Sequence, residues 1–251
     1  MKLHVDLNAD LGEGAGHDDE LFELISSANI ATGFHAGSPL SIFTAIRAAK
    51  EKGVAVGAHP SFDDRENFGR KEITVPIPQL FAQLVYQVGA FCSVALAAGA
   101  RVRHVKPHGA LYNMAVRDEK LAEAIAHAIM AVDPRLILFA PARSLLESAG
   151  EKAKLQIARE VFADRNYLSD GSLVPRSRSD ALLHDPQEAA VRVLRMLREG
   201  KVRSVDGIDV DVEPETICVH GDTQGAVEFA RQLRLLLERE GVRIAAPQNQ
   251  L

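Results

Sequence analysis

Short apolar runs alternate along the chain with longer segments in which apolar residues recur at helical spacing. The runs are five to seven residues long, a length typical of buried strands. They are Leu3–Asn8, Asn29–Gly33, Val54–Ala58, Val102–Lys106, Leu136–Ala140, Gln156–Phe162 and Thr216–His220. This alternation of strands with helical segments predicts a parallel β-sheet covered by helices.

The helical segments carry recognisable start and stop signals. Pro39–Lys52 has apolar residues at Ile42, Ile46 and Ala49, and Ser38 is placed to cap its first turn. The other predicted helices are Asp18–Ala28, Pro78–Ala98, Asp118–Ala131, Ala142–Ala149, Pro186–Arg198 and Gln224–Arg239. Glycine follows many of these segments, where a left-handed residue commonly ends a helix: Gly53, Gly99, Gly150, Gly200 and Gly241.

An open doubly wound sheet and a closed barrel both fit this alternation. The barrel is favoured because polar residues follow nearly every strand, whereas an open sheet gathers them at one switch point. Seven strands predict a distorted seven-stranded parallel (β/α) barrel of the TIM-barrel type, with residues 1–251 as a single domain. Two long connections, Pro60–Val75 and Ala163–Asp185, are of a length that is usually either functional or disordered. Val202–Glu213 is predicted to form a β-hairpin that turns at Asp206-Gly207.

Composition limits the classes of partner. The chain has 251 residues, of which 47% are hydrophobic and 25% charged, and its net charge of -5 gives no general attraction to nucleic acid or anionic membranes. Cys92 and Cys218 both stand in apolar runs and are predicted to be core thiols. No basic-then-apolar leader is present, and the longest apolar stretch, Val88–Ala98, is too short to span a bilayer. We therefore expect a soluble, cytoplasmic protein.

Candidate chemistry lies at the carboxyl ends of the predicted strands, which meet on one face of a parallel barrel. The residues there are Asp6, Asn8, Asp10, His35, His59, Lys106, His108, Asp164, Arg165, His220 and Asp222. Histidine changes charge near neutral pH, and a neighbouring carboxylate can orient it as a base. His4, His17, His104, His127 and His184 do not fall at the expected mouth beside a polar partner, so they are assigned structural roles.

The first strand alternates polar Asp6, Asn8 and Asp10 with apolar residues, so the three polar side chains share one face. In a parallel barrel that face is the interior, where a buried carboxylate destabilises the fold unless it is paired or hydrated. Lys106 and Arg165 could supply the pairing. The pattern predicts a polar, solvated pocket at the barrel mouth.

Metal and phosphate motifs are weak in this sequence. Asp10, His35 and His59 offer ligands that zinc or manganese accepts, but no close His or Cys spacing forces them together, so no metal is expected. The glycines of Gly12–Gly16 lack the rest of a dinucleotide fingerprint, and no Walker lysine motif occurs. They are interpreted as a tight, flexible loop.

The same residues carry a resemblance to a known family. The motifs are Val5–Gly14, Ser27–Ala31, Gly33–Gly37, Gly57–Phe62, Asp64–Arg70, His104–Asn113, Phe162–Arg165, Asp170-Gly171, Leu173–Arg176 and Thr216–Asp222. In these motifs the chain resembles the family of the A component of 5-oxoprolinase, also called the LamB/YcsF family. Thr32, Ser38 and Ser177–Ala181 depart from the usual family pattern and affect only loop detail.

The resemblance implies a distorted barrel related to sugar deacetylases and work alongside subunits B and C. It implies cleavage of 5-oxo-L-proline to L-glutamate coupled to hydrolysis of ATP to ADP and phosphate, with Mg²⁺ at the level of the complex. Coupling makes chemical sense, because a five-membered lactam is a resonance-stabilised amide that readily closes again. Phosphorylation of the amide oxygen would make it a leaving group and expose the carbon to water.

Roles for individual residues follow as hypotheses from their shared position at the predicted mouth. Catalytic roles in holding or activating water go to Asp10, His35, His59 and His220, with Asp222 orienting His220. Binding of the substrate carboxylate or a phosphorylated intermediate goes to Asn8, Lys106, His108, Asp164, Arg165 and Arg176.

Two other functions fit the sequence. One is a stand-alone, metal-dependent deacetylase or amidohydrolase that acts on a small N-acyl or sugar substrate. The other is a non-catalytic component that only positions subunits B and C. The density of titratable groups at the predicted mouth argues against the second, because a scaffold does not need them.

Overall fold

The computed structural model describes residues 3–175, 177–219 and 225–248. Seven parallel strands form a closed barrel in the order β1-β2-β3-β4-β5-β6-β9, and β9 pairs with β1 to close it. This confirms the predicted seven-stranded parallel (β/α) barrel. The barrel strands are β1 (His4–Leu11), β2 (Ser27–Ala31), β3 (Ala55–His59), β4 (Val102–Val105), β5 (Ile137–Pro141), β6 (Ile157–Phe162) and β9 (Thr216–Val219).

Helices surround the barrel strands. They are α1 (Asp18–Phe22), α2 (Pro39–Glu51), α3 (Ile77–Ala97), α4 (Gly109–Ala115), α5 (Glu119–Val132), α6 (Leu145–Lys152), α7 (Pro186–Glu199) and α8 (Ala226–Arg239). The sequence signals at helix starts are borne out. Ser38 accepts a hydrogen bond from the backbone N–H of Ser41, and Asp185 caps α7 in the same way through Gln187.

Some predicted elements differ from the structure. The segment predicted as a helix over Asp18–Ala28 is helical only to Phe22, because Ser27 and Ala28 pair with β1 as part of β2. Gly150 lies inside α6, where an added Cβ would lie 2.4 Å from Ile157, so it provides close packing and does not end the helix. Helix α4, directly after His108, was not predicted.

Two small elements lie outside the barrel. The predicted hairpin is present, as β7 (Lys201–Arg203) paired antiparallel with β8 (Asp209–Asp211). A last short strand, β10 (Arg243–Ile244), lies parallel to the start of β1, with His4 opposite Arg243. The first strand of the barrel therefore contacts three partner strands.

Helix α3 is long and apolar enough by composition to cross a membrane, with a mean hydropathy of 1.7 over its most apolar window. Its buried residues Leu80, Leu84, Val88, Phe91 and Ala95 recur at helical spacing and belong to the common hydrophobic core. The helix also packs along α5. It packs as one of the helices around the barrel.

Candidate active site

The barrel interior is polar along β1, as the alternation in the sequence predicts. Asp6 and Asn8 are fully buried, and the Asp6 carboxylate accepts hydrogen bonds from the hydroxyls of Ser26, Ser27 and Thr216 at 2.6–2.8 Å. Further along the strand, Asp10 is the most exposed of the three, with 17% of its side chain accessible. The strand thus leads from a closed polar floor to an accessible carboxylate.

Lys106 lies at the centre of the barrel and is nearly fully buried. Its Nζ lies 3.1 Å from Asp10 Oδ1, 2.9 Å from Glu160 Oε1 and 3.3 Å from Asn8 Oδ1. The predicted pairing of Asp10 with Lys106 is therefore confirmed. Three oxygen acceptors match the three donors of an ammonium group, so the predicted direct role of Lys106 in binding a substrate anion is not supported. The Asn8 side chain likewise makes its hydrogen bonds inside the barrel.

Glu160 is an important residue that sequence reasoning missed. It lies on β6 one layer below the mouth, and its second carboxylate oxygen accepts a hydrogen bond of 2.5 Å from the Tyr112 hydroxyl. The signal was present, because Ala158, Glu160 and Phe162 alternate with Arg159 and share the face that turns inward. A charged residue on the buried face of a strand is a strong sign of a partnered interior group.

Three histidines from separate elements meet with a glutamate above Lys106. His35 follows β2, His59 ends β3 and His108 directly precedes α4. Together with Glu13 they each offer one ligand atom, and these atoms lie within 4.8 Å of one another. The predicted convergence of His35, His59 and His108 is therefore observed, whereas Glu13 was missed because its glycine-rich loop was interpreted only as a connection.

The distances within this histidine cluster are short. His59 Nε2 lies 2.9 Å from His108 Nδ1, 3.4 Å from Asp10 Oδ2 and 3.8 Å from Glu13 Oε1. Glu13 Oε1 also lies 3.3 Å from His108 Nδ1 and 3.0 Å from His35 Nε2. The His35 ring is stacked on the His108 ring, with centroids 3.8 Å apart and an interplanar angle of 4°.

Backbone groups fix the outer sides of two of these rings. His59 Nδ1 lies 2.7 Å from the Lys106 carbonyl oxygen, and His108 Nε2 lies 2.9 Å from the Phe68 carbonyl oxygen. Phe68 has a left-handed backbone, with φ of 55°. Its neighbour Gly69 has no room for a side chain, since an added Cβ would lie 2.9 Å from His35 Cβ. The connection predicted as functional, Pro60–Val75, therefore supports the cluster directly.

Burial and neighbouring charge set the protonation of the cluster. Burial lowers the pKa of His35 to about 2, and that of His108 also to about 2, with the charge of His59 acting in the same direction. Burial alone would lower the pKa of His59, but the Asp10 carboxylate outweighs it and raises that pKa above its ordinary value. His35 and His108 are therefore neutral at physiological pH.

The carboxylate and the ammonium beneath the histidines are held in their charged forms. Burial would raise the pKa of Asp10, but the charges of His59 and Lys106 hold it well below its usual range. Burial would lower the pKa of Lys106, but Asp10, Cys218 and Glu160 hold it well above its usual range. The site therefore has a fixed ion pair under an array of imidazoles.

The remaining predicted residues are distributed differently. Asp164 is buried after β6, and Arg165 is buried and donates from Nη2 to the Val174 carbonyl oxygen at 2.6 Å. Through this contact Arg165 binds the Ala163–Asp185 connection, and its pairing with the first strand stays a prediction. His220, Asp222 and Arg176 lie outside the described residues, so their predicted roles stay predictions.

Access to the site is limited in this conformation. The side chains of His35, His59, His108 and Glu13 are at most 5% exposed. Glu13 lies between Gly12 and Gly14, both of which have positive φ, in a loop that covers the cluster. The two described surface grooves, between α3 and α5 and between α2 and α3, contain no residue of the cluster.

The chain is similar to known proteins over nearly its whole length. The LamB/YcsF family profile matches residues 5–251. The solved structure of a lactam utilization protein from Thermus thermophilus is 48% identical, with a TM-score of 0.92 over 98% of this chain and 100% of that one.

More distant structures share the fold alone. A T48 deacetylase with substrate is 15% identical, with a TM-score of 0.52 over 97% of this chain and 88% of that one. A GH113 β-1,4-mannanase is 11% identical, with a TM-score of 0.51 over 95% of this chain and 99% of that one.

Proposed function

Since the chain belongs to the LamB/YcsF family, we propose that it is the A component of an ATP-dependent 5-oxoprolinase. In this function it opens the lactam ring of 5-oxo-L-proline to give L-glutamate. The relative from Thermus thermophilus is described as a lactam utilization protein, and a lactam is a cyclic amide of this kind. The protein is a cytoplasmic hydrolase in this proposal.

The observation that carries the proposal is the buried cluster at the carboxyl end of the barrel strands. His35, His59, His108, Asp10 and Glu13 come from four separate parts of the chain and meet there. Packing alone gives no reason to bury so many titratable groups together, whereas hydrolysis of an amide needs groups that hold water and accept or donate protons. The carboxyl end of a parallel barrel is also where such enzymes place their reacting groups.

His35 is suited to orient the attacking water. Its Nε2–H donates to Glu13 Oε1 at 3.0 Å, which leaves the lone pair on Nδ1. Among the described residues, buried His35 Nδ1 has no hydrogen-bond partner. An unsatisfied buried acceptor costs about 1–3 kcal/mol, which a bound water or substrate would recover. In the proposed reaction a water molecule donates to Nδ1 and attacks the ring carbon of the O-phosphorylated lactam, and the ring C–N bond breaks as the nitrogen takes up the protons of that water. A second water then displaces phosphate from the resulting acyl phosphate to give glutamate.

Lys106 has a positioning role in this scheme. By pairing with Asp10 Oδ1 it leaves Asp10 Oδ2 directed toward His59 Nε2, 3.4 Å away. Direct anion binding stays assigned to Arg176, as a proposal that rests on its place in the sequence.

ATP is assigned to the complex and not to this barrel. Opening a five-membered lactam needs a driving force, which phosphorylation of the amide oxygen by ATP and Mg²⁺ would supply. The sequence has no Walker lysine motif, and the barrel interior of the described residues is filled by side chains. We therefore propose that subunits B and C supply ATP binding and that this chain acts on the activated lactam.

Reconstitution with subunits B and C tests the function. The wild-type chain should complete 5-oxoproline-dependent release of both ADP and glutamate, and His35→Gln should reduce glutamate formation about a hundredfold or more. His127→Gln is the matched control, because His127 is exposed on α5 and should leave activity unchanged. Glu13→Gln, which keeps the size of the side chain, should also reduce the rate while the complex still assembles.

Two outcomes would contradict the proposal. Full glutamate formation by the His35→Gln complex would show that the cluster is not the reacting site. Hydrolysis of a simple N-acyl substrate by the chain alone, without ATP or partners, would favour a stand-alone amidohydrolase instead.

A further inference from the structure

The contacts of His59 with the backbone define which of its ring nitrogens carries a hydrogen. His59 Nδ1 lies 2.7 Å from the Lys106 carbonyl oxygen. A carbonyl oxygen can only accept, so Nδ1 must carry the hydrogen and donate it. In the neutral ring, Nε2 is therefore left with a lone pair that points into the cluster.

The same reasoning applies to His108, in which the other ring nitrogen, Nε2, faces the backbone. His108 Nε2 lies 2.9 Å from the Phe68 carbonyl oxygen and must donate to it. Nδ1 of the neutral ring is then the lone-pair nitrogen. It lies 2.9 Å from His59 Nε2, so with both rings neutral two lone pairs face each other at hydrogen-bond distance.

Such an arrangement requires a cation between or beside the two nitrogens. A shared proton is one candidate and a metal ion is the other. Histidines that bind metals commonly donate their second ring N–H to a carbonyl or carboxylate, which fixes the ring and directs the other nitrogen to the metal. Both His59 and His108 make this contact with backbone carbonyl oxygens.

Two carboxylates complete a possible coordination shell. Asp10 Oδ2 lies 3.4 Å from His59 Nε2, and Glu13 Oε1 lies 3.3 Å from His108 Nδ1 and 3.8 Å from His59 Nε2. Ligands at the usual bond length in a tetrahedral zinc site are separated by about 3.3 Å. The four separations between ligand atoms given above, 2.9–3.8 Å, lie on either side of that value.

We propose that Asp10, Glu13, His59 and His108 form a binding site for one divalent first-row transition metal ion, with zinc as the best match. Two imidazole nitrogens and two carboxylate oxygens suit zinc, cobalt or manganese, whereas magnesium and calcium prefer oxygen ligands alone. Two carboxylates also balance the charge of the ion. The sequence analysis did not predict a metal, because no close His or Cys spacing marks the ligands and Glu13 was missed.

His35 supports the site without binding the ion. Its ring is parallel to that of His108 at 3.8 Å, so an ion in the plane of one ring would lie far out of the plane of the other. Its Nε2–H instead donates to Glu13 Oε1 and orients that carboxylate. Hydrogen bonds of this kind to metal-binding carboxylates typically change affinity by about ten- to a hundredfold.

Metal binding can be measured without substrate, partner subunits or ATP. Full-length protein is stripped with a chelator, titrated with Co²⁺ and Zn²⁺, and followed by visible absorption, calorimetry and elemental analysis. We expect one equivalent of metal, with the visible spectrum of four- or five-coordinate Co²⁺, and a higher Tm with Zn²⁺ than without it. His59→Asn and His108→Asn should each weaken binding by about a hundredfold or more, and His35→Asn by less.

Matched variants make the result decisive. His127→Asn removes an exposed histidine and should bind metal as the wild type does. The stripped variants are compared by thermal unfolding, so that loss of the fold is not mistaken for loss of a ligand. The proposal is overturned if the stripped protein takes up no metal, which would leave a shared proton between His59 and His108. It is equally overturned if the His59→Asn/His108→Asn double variant still binds one equivalent with the same affinity.

Discussion

The ammonium group of Lys106 lies 2.9 Å from the carboxylate of Glu160 in the middle of the barrel, and both side chains are almost completely buried. Asp10 lies on the other side of the same ammonium group, 3.1 Å away. The single positive charge of Lys106 is therefore shared by two carboxylates that come from strands far apart in the sequence. This ion pair links the floor of the barrel to the candidate active site.

Removal of the Lys106 charge should destabilise the fold strongly. Lys106→Met leaves Asp10 and Glu160 buried without their cation, and loss of one partner of a buried ion pair typically costs about 3–5 kcal/mol. Urea unfolding measures the change. Lys106→Met/Glu160→Gln should recover part of the loss, because one carboxylate charge is removed as well.

The surface offers a control for the Lys106 variant. Lys52 pairs with Glu23 on the exterior, and Lys52→Met should leave the unfolding midpoint nearly unchanged. A Lys106→Met protein as stable as the wild type would show that water reaches the interior charges.

Tyr112 should contribute stability through a single buried hydrogen bond. Its hydroxyl donates to Glu160 Oε2 at 2.5 Å, and Tyr112→Phe removes that donor from a charged acceptor while keeping the ring. We expect a loss of about 1.5–3 kcal/mol in the free energy of unfolding. Tyr86→Phe is the control, since Tyr86 is 67% exposed. Equal stability of the two variants would contradict the role given to Tyr112.

Gly57 should be intolerant of even one methyl group. A Cβ at this position in β3 would lie 2.0 Å from His104 Nε2, which donates to Asn29 Oδ1 inside the barrel. Gly57→Ala should therefore destabilise the fold by about 1–3 kcal/mol or more through overpacking. Thermal unfolding reports the change, and shortening the neighbour in Gly57→Ala/His104→Ala should relieve the clash.

A second glycine serves as the comparison for Gly57→Ala. Gly89 lies inside α3 with nothing within 4 Å of an added Cβ, so Gly89→Ala should stabilise the helix by up to about 1 kcal/mol. If both substitutions had the same effect, close packing around Gly57 would not be its cause.

Asp6 should make stability depend on pH in a defined window. Burial raises its pKa from the ordinary value of 3.8 to about 6, even though three hydroxyls hydrogen-bond to it. Between these two values the folded protein binds more protons at Asp6 than the unfolded chain does, so the free energy of unfolding falls as the pH rises. The shift corresponds to about 3 kcal/mol.

The pH dependence is tested by substitution of the carboxylate. Asp6→Asn cannot ionise at this position. The free energy of unfolding of the wild type, relative to that of the variant, should therefore fall by up to about 3 kcal/mol between about pH 4 and pH 7. Parallel stability curves for the two proteins across that range would show that the Asp6 pKa is ordinary in the folded state.

Sequence reasoning predicted the barrel and the convergence of His35, His59 and His108, because strand periodicity determines which ends meet. It also placed Asp6 and Asn8 inside the barrel, where a period of two requires them. These successes share one cause, which is that regular secondary structure repeats at a known spacing.

The misses have a different origin. Glu13 lies in a loop whose path depends on three positive-φ glycines, and no periodicity reports on such a path. Ser27 and Ala28 follow apolar residues that fit a helix as well as a strand, and only the hydrogen bonds of β2 with β1 decide between them. Lys106 was predicted as a site residue, but the sequence could not show how many acceptors surround its ammonium group.

The pairing of β1 with both β9 and β10 has a consequence for synthesis on the ribosome. Asp6 pairs with Thr216 and His4 with Arg243, so β1 is made more than 200 residues before these two partner strands. Until then one edge of the nascent sheet is open to other chains. The polar residues along β1 discourage stray pairing, much as charged residues do on the edge strands of finished proteins. The side chains that form the floor of the pocket would thus also protect the chain while it is being made.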